Sequence, residues 1–97
     1  MTKKLISPGS TFKMEYNKIE YKCLLYEHWH GLTRYAKVVV YKIVKMKFLF
    51  LKWEGIEYVE TINLGRVSEC DLISRRKDGY YYRNEYDLEK VKQKVRI

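Results

Sequence analysis

From Thr33 to Trp53 the chain runs through 21 β-branched, aromatic, aliphatic and basic residues without one glycine, proline, asparagine or acidic residue. A strand usually holds about 5 or 6 residues, so a stretch of this length must bulge, bend or turn within itself. Val38 and Val40 share one face with Lys42, while Tyr41 and Ile43 share the other, which is the period of two of a pleated strand. Lys45 and Lys47 mark the expected position of a hairpin, ahead of a further strand from Phe48 to Trp53.

The same period recurs on both sides of this block. Phe12, Met14 and Tyr16 alternate with Lys13 and Glu15, and Ile19, Tyr21, Cys23 and Leu25 alternate with Glu20, Lys22 and Leu24. With Asn17-Lys18 as a tight turn, residues 11 to 27 read as a hairpin, which Gly31 interrupts. Downstream, Glu54-Gly55 reads as a turn before a strand through Tyr58, Val59, Thr61 and Ile62, and Asn63-Leu64-Gly65 as another turn. Val67 to Ile73 and Tyr80 to Tyr82 are expected to pair across Ser74 to Gly79, where Asp78-Gly79 is a loop signal.

The last segment changes period. Leu88, Val91 and Val95 fall at i, i+3 and i+7, with Asn84 in the N-cap position. Glu85, Asp87 and Glu89 precede Lys90, Lys92, Lys94 and Arg96, an order that complements a helix dipole. An amphipathic helix over residues 85–96, docked on a sheet, is therefore predicted. The chain of 97 residues is expected to form one domain with a single core, mainly β: a small antiparallel barrel of five to six strands over residues 9–83, followed by that helix.

Charge is unevenly distributed. Residues 1 to 50 carry ten Lys plus Arg against three acids (+7), and residues 51 to 97 carry ten against nine (+1). Between Glu27 and Glu54 there is no acid, yet Arg34, Lys37, Lys42, Lys45, Lys47 and Lys52 lie among Trp29, Tyr35, Tyr41, Phe48, Phe50 and Trp53. Basic residues interleaved with aromatics on strands suit a polyanion, cations meeting phosphates and rings meeting bases. A second candidate contact is Arg75, Arg76 and Lys77 at a hairpin tip, followed by Tyr80 and Tyr82 on one strand face. The structural alternative for the tyrosines, and the better one for Tyr81, is to fill and cover a core with their hydroxyls in water.

Two sets of motifs resemble known families. Gly9-x-x-Phe12, Tyr21 to Glu27, Val38-Val39-Val40, Phe48-x-Phe50, Gly55-x-x-Tyr58-Val59 and Ile62-x-x-Gly65-x-Val67 resemble a short β-rich module of bacteriophage proteins. That module occurs alone and beside HNH-type nuclease domains. The resemblance covers roughly residues 9 to 70 and implies an SH3-like barrel in a viral protein. With two histidines, the chain lacks the His-Asn-His set of the nuclease. A local stretch, Phe48 to Gly55 with Cys70-Asp71-Leu72-Ile73, resembles chromodomains, with Trp53 at an aromatic-cage position and Ile56 where another cage aromatic would stand. It adds only support for a small twisted barrel.

Signals for reactive chemistry are sparse. His28 and His30 share a strand face, but a structural zinc site needs four ligands and Cys23 has the other parity; two exposed or stacking histidines beside a turn is the preferred reading. There is no phosphate-binding glycine loop, no nucleophile elbow and no carboxylate pair in an apolar setting, so no enzymatic activity, cofactor or metal is expected. Cys23 and Cys70, 47 residues apart, read as reduced, partly buried thiols. No stretch approaches the roughly 20 apolar residues of a membrane span, and the N-terminus does not read as a signal peptide, so no membrane partner and a cytoplasmic location, that of the host if viral, are expected. The expected function is a non-enzymatic nucleic-acid-binding module, for DNA or RNA; the alternative is a phage protein that docks on and inhibits or redirects a host protein.

Overall fold

The computed structural model describes residues 4–78 and 81–95, with side chains described except at 75–78 and 81–83. The order is β1 (Leu5–Ile6), β2 (Thr11–Tyr16), β3 (Ile19–His30), β4 (Thr33–Phe48), β5 (Leu51–Arg66), a 3-10 turn (Val67–Glu69), β6 (Ile73–Asp78), β7 (Tyr81–Asp87) and α1 (Leu88–Lys94). Two antiparallel sheets form, a four-stranded meander β2-β3-β4-β5 and a three-stranded sheet β1-β7-β6.

The fold is mainly β with one short C-terminal helix, as expected, but it is not a closed barrel. Neither β2 nor β5 pairs with a strand of the second sheet among the described residues. Closure would require the free edge of β5 to meet the free edge of β2. Instead, among the described residues β5 pairs with β4 alone, from Tyr35↔Arg66 to Phe48↔Leu51, interrupted by two register shifts. The described strands number seven, not five or six.

Turn chemistry explains the meander's first half. Asn17 and Lys18 both take positive φ, 50° and 64°, as a type I′ hairpin turn requires, and Gly31 supplies φ 64° at the next turn. The β4–β5 turn lies at Leu49-Phe50, later than the expected position at Lys45 and Lys47. No residue with turn preference is available, and Leu49 is left with φ 55°. Glu54-Gly55 is not a turn: Gly55 sits inside β5 opposite Val44, where a Cβ would meet Met46 Cε at 3.1 Å. Asn63-Leu64-Gly65 is not a turn either; it is a bulge, with Gly65 at φ 96°, and the chain leaves the sheet through Val67–Glu69. The strand expected from Val67 to Ile73 is thus a 3-10 turn with β6 after it. The expected Asp78-Gly79 loop lies partly outside the described residues, between the register pair Asp78↔Tyr81.

The core lies between the sheets. Phe12, Tyr21, Cys23, Leu25, Ala36, Val38 and Val40 from the inner face of the meander pack with Val67, Leu72, Tyr86, Val91 and Val95. Ile6 and Ile73 flank Tyr86 in register on either side. The helix starts at Leu88, not at residue 85, because residues 84–87 continue β7; Asp87, not Asn84, is the cap, its carboxylate accepting from the Glu89 and Lys90 amides. Val91 and Val95 are buried and Leu88 packs against the core, as the stripe predicted. Cys23 is a buried free thiol and Cys70 a half-buried one.

β4 and β5 outrun β3. With Tyr21 opposite Lys42, β3 ends at Ile19, and residues 45–54 project as a two-stranded arm. The molecule measures 56 × 37 × 23 Å with a radius of gyration of 15.9 Å, against about 12.5 Å for a compact chain of this length.

Candidate nucleic-acid interface

Directly opposed residues of antiparallel strands lie on the same face, so the registers sort every side chain of the meander. Those opposite to the core face form cross-sheet rows. One is Lys13, Lys22, Tyr41 and Tyr58; the next is Thr11, Leu24, Val39 and Thr61; then come Tyr26, Lys37 and Asn63, and His28, Tyr35 and Arg66. No described element covers this outer face. Its centre, Leu24 and Val39, is apolar and largely buried, and rings and cations surround it.

The rings are held by one another. Lys37 Nζ lies 4.7 Å from the Tyr26 ring centroid, Tyr41 and Tyr58 meet edge to face at 6.1 Å, and His28 stacks on Tyr35 at 5.7 Å. The Tyr58 hydroxyl and Thr61 Oγ1 are 2.8 Å apart, across the bulge that lets residues 58 and 61 share a face. Such contacts hold aromatic rings in place before any ligand arrives, which lowers the entropy lost on stacking. His28 Nδ1 is buried without a hydrogen-bond partner.

The residues expected from sequence divide by strand parity. Lys37, Lys45, Lys47 and Lys52 lie on the outer face, the last three along the arm. Lys45 is 3.9 Å from Glu20 and stands opposite Glu54. Lys47 and Lys52 oppose each other directly, an arrangement of like charges that is destabilising in a free ribbon. Lys42 lies on the inner face between Tyr21 and Glu57. Arg34 is on the inner face too, its Nε 3.4 Å from Glu27 and its guanidinium 5.8 Å from the Trp29 ring, so its charge is already engaged.

Arg75, Arg76 and Lys77 belong to β6 in the other sheet, in register with Asn84, Arg83 and Tyr82; their side chains and that of Tyr82 lie outside the described residues, as does Tyr80 altogether. The structure therefore does not bring them onto the outer face of the meander. Sequence reasoning named Tyr35 and Tyr41 among the aromatics of the basic block but missed Lys13, Lys22, Tyr26 and Tyr58 as their neighbours. The two-residue turns at Asn17-Lys18 and Gly31-Leu32 fix the registers that align them.

His28 and His30 both approach Tyr35, at 5.7 and 6.5 Å between centroids. Among the described residues no group of three or more His, Cys, Asp or Glu side chains could hold a metal ion. Among the described residues no helix is long and apolar enough to cross a membrane. Comparison with protein-family models, with curated proteins and with solved structures finds no match to this chain.

Proposed function

We propose that the chain is a small bacteriophage nucleic-acid-binding module without catalytic activity, and that it binds through the outer face of its four-stranded sheet. The observation that carries this reading is the juxtaposition of Lys22, Lys37, Tyr26, Tyr41 and Tyr58 on one uncovered face. An open sheet with partly exposed rings suits single strands, whose unpaired bases can lie flat on aromatic side chains while lysines follow the phosphates. The Lys47 and Lys52 rung extends the same basic face along the arm.

Fluorescence anisotropy with single-stranded and duplex DNA and RNA probes at two salt concentrations tests this. Single strands should bind tightest, with affinity falling by about 0.7 log units per log unit of salt for each neutralised phosphate. Lys22→Glu with Lys37→Glu should weaken binding to all sequences alike, and Tyr41→Ala should lower affinity while leaving the salt slope unchanged. No binding at low salt would end the reading.

The second reading, docking on a host protein, is favoured by the opposite end of the sheet. Trp29 and Leu32 are exposed there, beside a hollow of ≈ 450 Å³ that also involves Arg34, Arg66 and Val67. Retained capture of one host protein by a Trp29→Ala, Leu32→Ser variant would remove its support.

A further inference from the structure

The outer edge of β5 has no partner strand among the described residues, although β5 runs for 16 residues. Long flat edges are templates for pairing, and proteins that remain monomeric blunt them with bulges, prolines or short strands. Here the bulges fall only at Val59 and Leu64, so Leu51 to Tyr58 forms a regular, proline-free edge. The large apolar residues of this segment and of the turn before it are exposed. Phe50 is 99% exposed, Leu51 67%, Ile56 59% and Trp53 45%. At roughly 150–250 Å² per aromatic side chain, the exposed parts of the arm's large residues reach several hundred Å², approaching the share of about 800 Å² that one partner contributes to a stable interface.

The charge pattern indicates which occupant fits. Lys52 and Glu54 lie on the same face of β5, one on either side of Trp53. An antiparallel second copy of β5, related by a two-fold axis at Trp53, places each Lys52 opposite the partner's Glu54. It also gives the like-charged Lys47–Lys52 rung an acidic neighbour. Leu51 then falls opposite Gly55, which has no side chain to obstruct it, and the two Trp53 rings meet at the axis. A strand with a single sign of charge would repel its own copy in this arrangement; this one is complementary to itself.

We propose that the chain forms a two-fold dimer by antiparallel pairing of the β5 edges of two arms, centred on Trp53, with Lys52 and Glu54 exchanged between protomers. Because the axis is perpendicular to the sheet, the two outer faces look to the same side of a continuous eight-stranded sheet.

Sedimentation of the full chain over a concentration series tests the proposal. The parent should pass from 11.9 kDa to twice that mass. Lys52→Glu and Glu54→Lys, both at exposed positions, should each raise the dissociation constant at least 10-fold with unchanged circular dichroism. An equimolar mixture of the two variants should regain the parent's affinity, because each reversed charge then meets its opposite. A parent that stays at 11.9 kDa throughout overturns the dimer and leaves the edge to another occupant. A mixture no tighter than either variant alone overturns the antiparallel pairing.

Discussion

The Tyr86 hydroxyl donates to Glu27 Oε1 at 2.7 Å, tying the middle strand of the three-stranded sheet to β3 of the meander. Glu27 Oε2 receives the Arg34 guanidinium at 3.4 Å, so one carboxylate satisfies a hydroxyl from the core and neutralises a half-shielded cation. Tyr86→Phe keeps the buried ring and removes the hydroxyl. It should cost about 1.5–3 kcal/mol in urea unfolding, as loss of a hydrogen bond to a charged group does, whereas Tyr86→Ala should cost about 3–5 kcal/mol. Equal urea midpoints for Tyr86→Phe and the parent would show that water serves Glu27 equally well.

The same contact makes stability fall at alkaline pH. Burial, and then the bond to Glu27, push the Tyr86 phenol above its ordinary value of 10.0, and burial pushes the Cys23 thiol from 9.0 to about 11. Both groups keep their protons in the folded state to higher pH than in the unfolded chain, so the unfolded state loses protons first and gains in relative stability. Stability from Cys23 should be fully present below pH 9 and decline up to about pH 11, and the Tyr86 contribution should begin to decline above pH 10. Urea midpoints at pH 7, 9, 10 and 11 check this. A Cys23→Ala variant, less stable at every pH, should show a flatter profile between 9 and 10, and an identical slope would assign the decline elsewhere.

Val91 and the C-cap residue Val95 are fully buried although the helix has only seven residues. An isolated helix this short does not persist in water, so the packing holds it. Val91→Ala and Val95→Ala should each cost about 2–3 kcal/mol, and removing residues 88–97 should lower the melting temperature by well over ten degrees. A deletion variant that melts with the parent would make the helix an appendage.

Lys18 takes a left-handed backbone conformation that glycine adopts without strain. Lys18→Gly should stabilise the β2–β3 hairpin by about 0.5–1 kcal/mol, relief of the side-chain clash exceeding the entropy of the added glycine. Calorimetry reads the difference directly, and a lower melting temperature would contradict the turn assignment.

What the sequence made legible follows from turn chemistry. Asn17-Lys18 and Gly31 are local signals, and a two-residue turn dictates every pairing that follows, so Lys22 beside Tyr41 and Tyr26 beside Lys37 are in principle derivable from them. The Leu49-Phe50 turn had no such signal, because neither residue prefers it. Gly55 misled because a glycine in a strand marks a close approach as readily as a turn, here to Met46. The basic block was visible as composition, but strand parity placed Arg34 and Lys42 on the inner face and Lys37, Lys45 and Lys47 on the outer. Whether the sheets close into a barrel depends on pairings distant in sequence, which no local pattern contains.

Among the described residues the core cluster and the side chains packed on it include no member between Val40 and Ile62. More than a fifth of the chain therefore adds no side chain to that core. Residues 45–54 of the arm are all exposed, so substitutions there leave the core untouched, and one scaffold can carry arms that grip different partners. A library randomised at exposed arm positions would yield mostly folded molecules, making this segment the natural point of entry for redirecting the protein to a new partner.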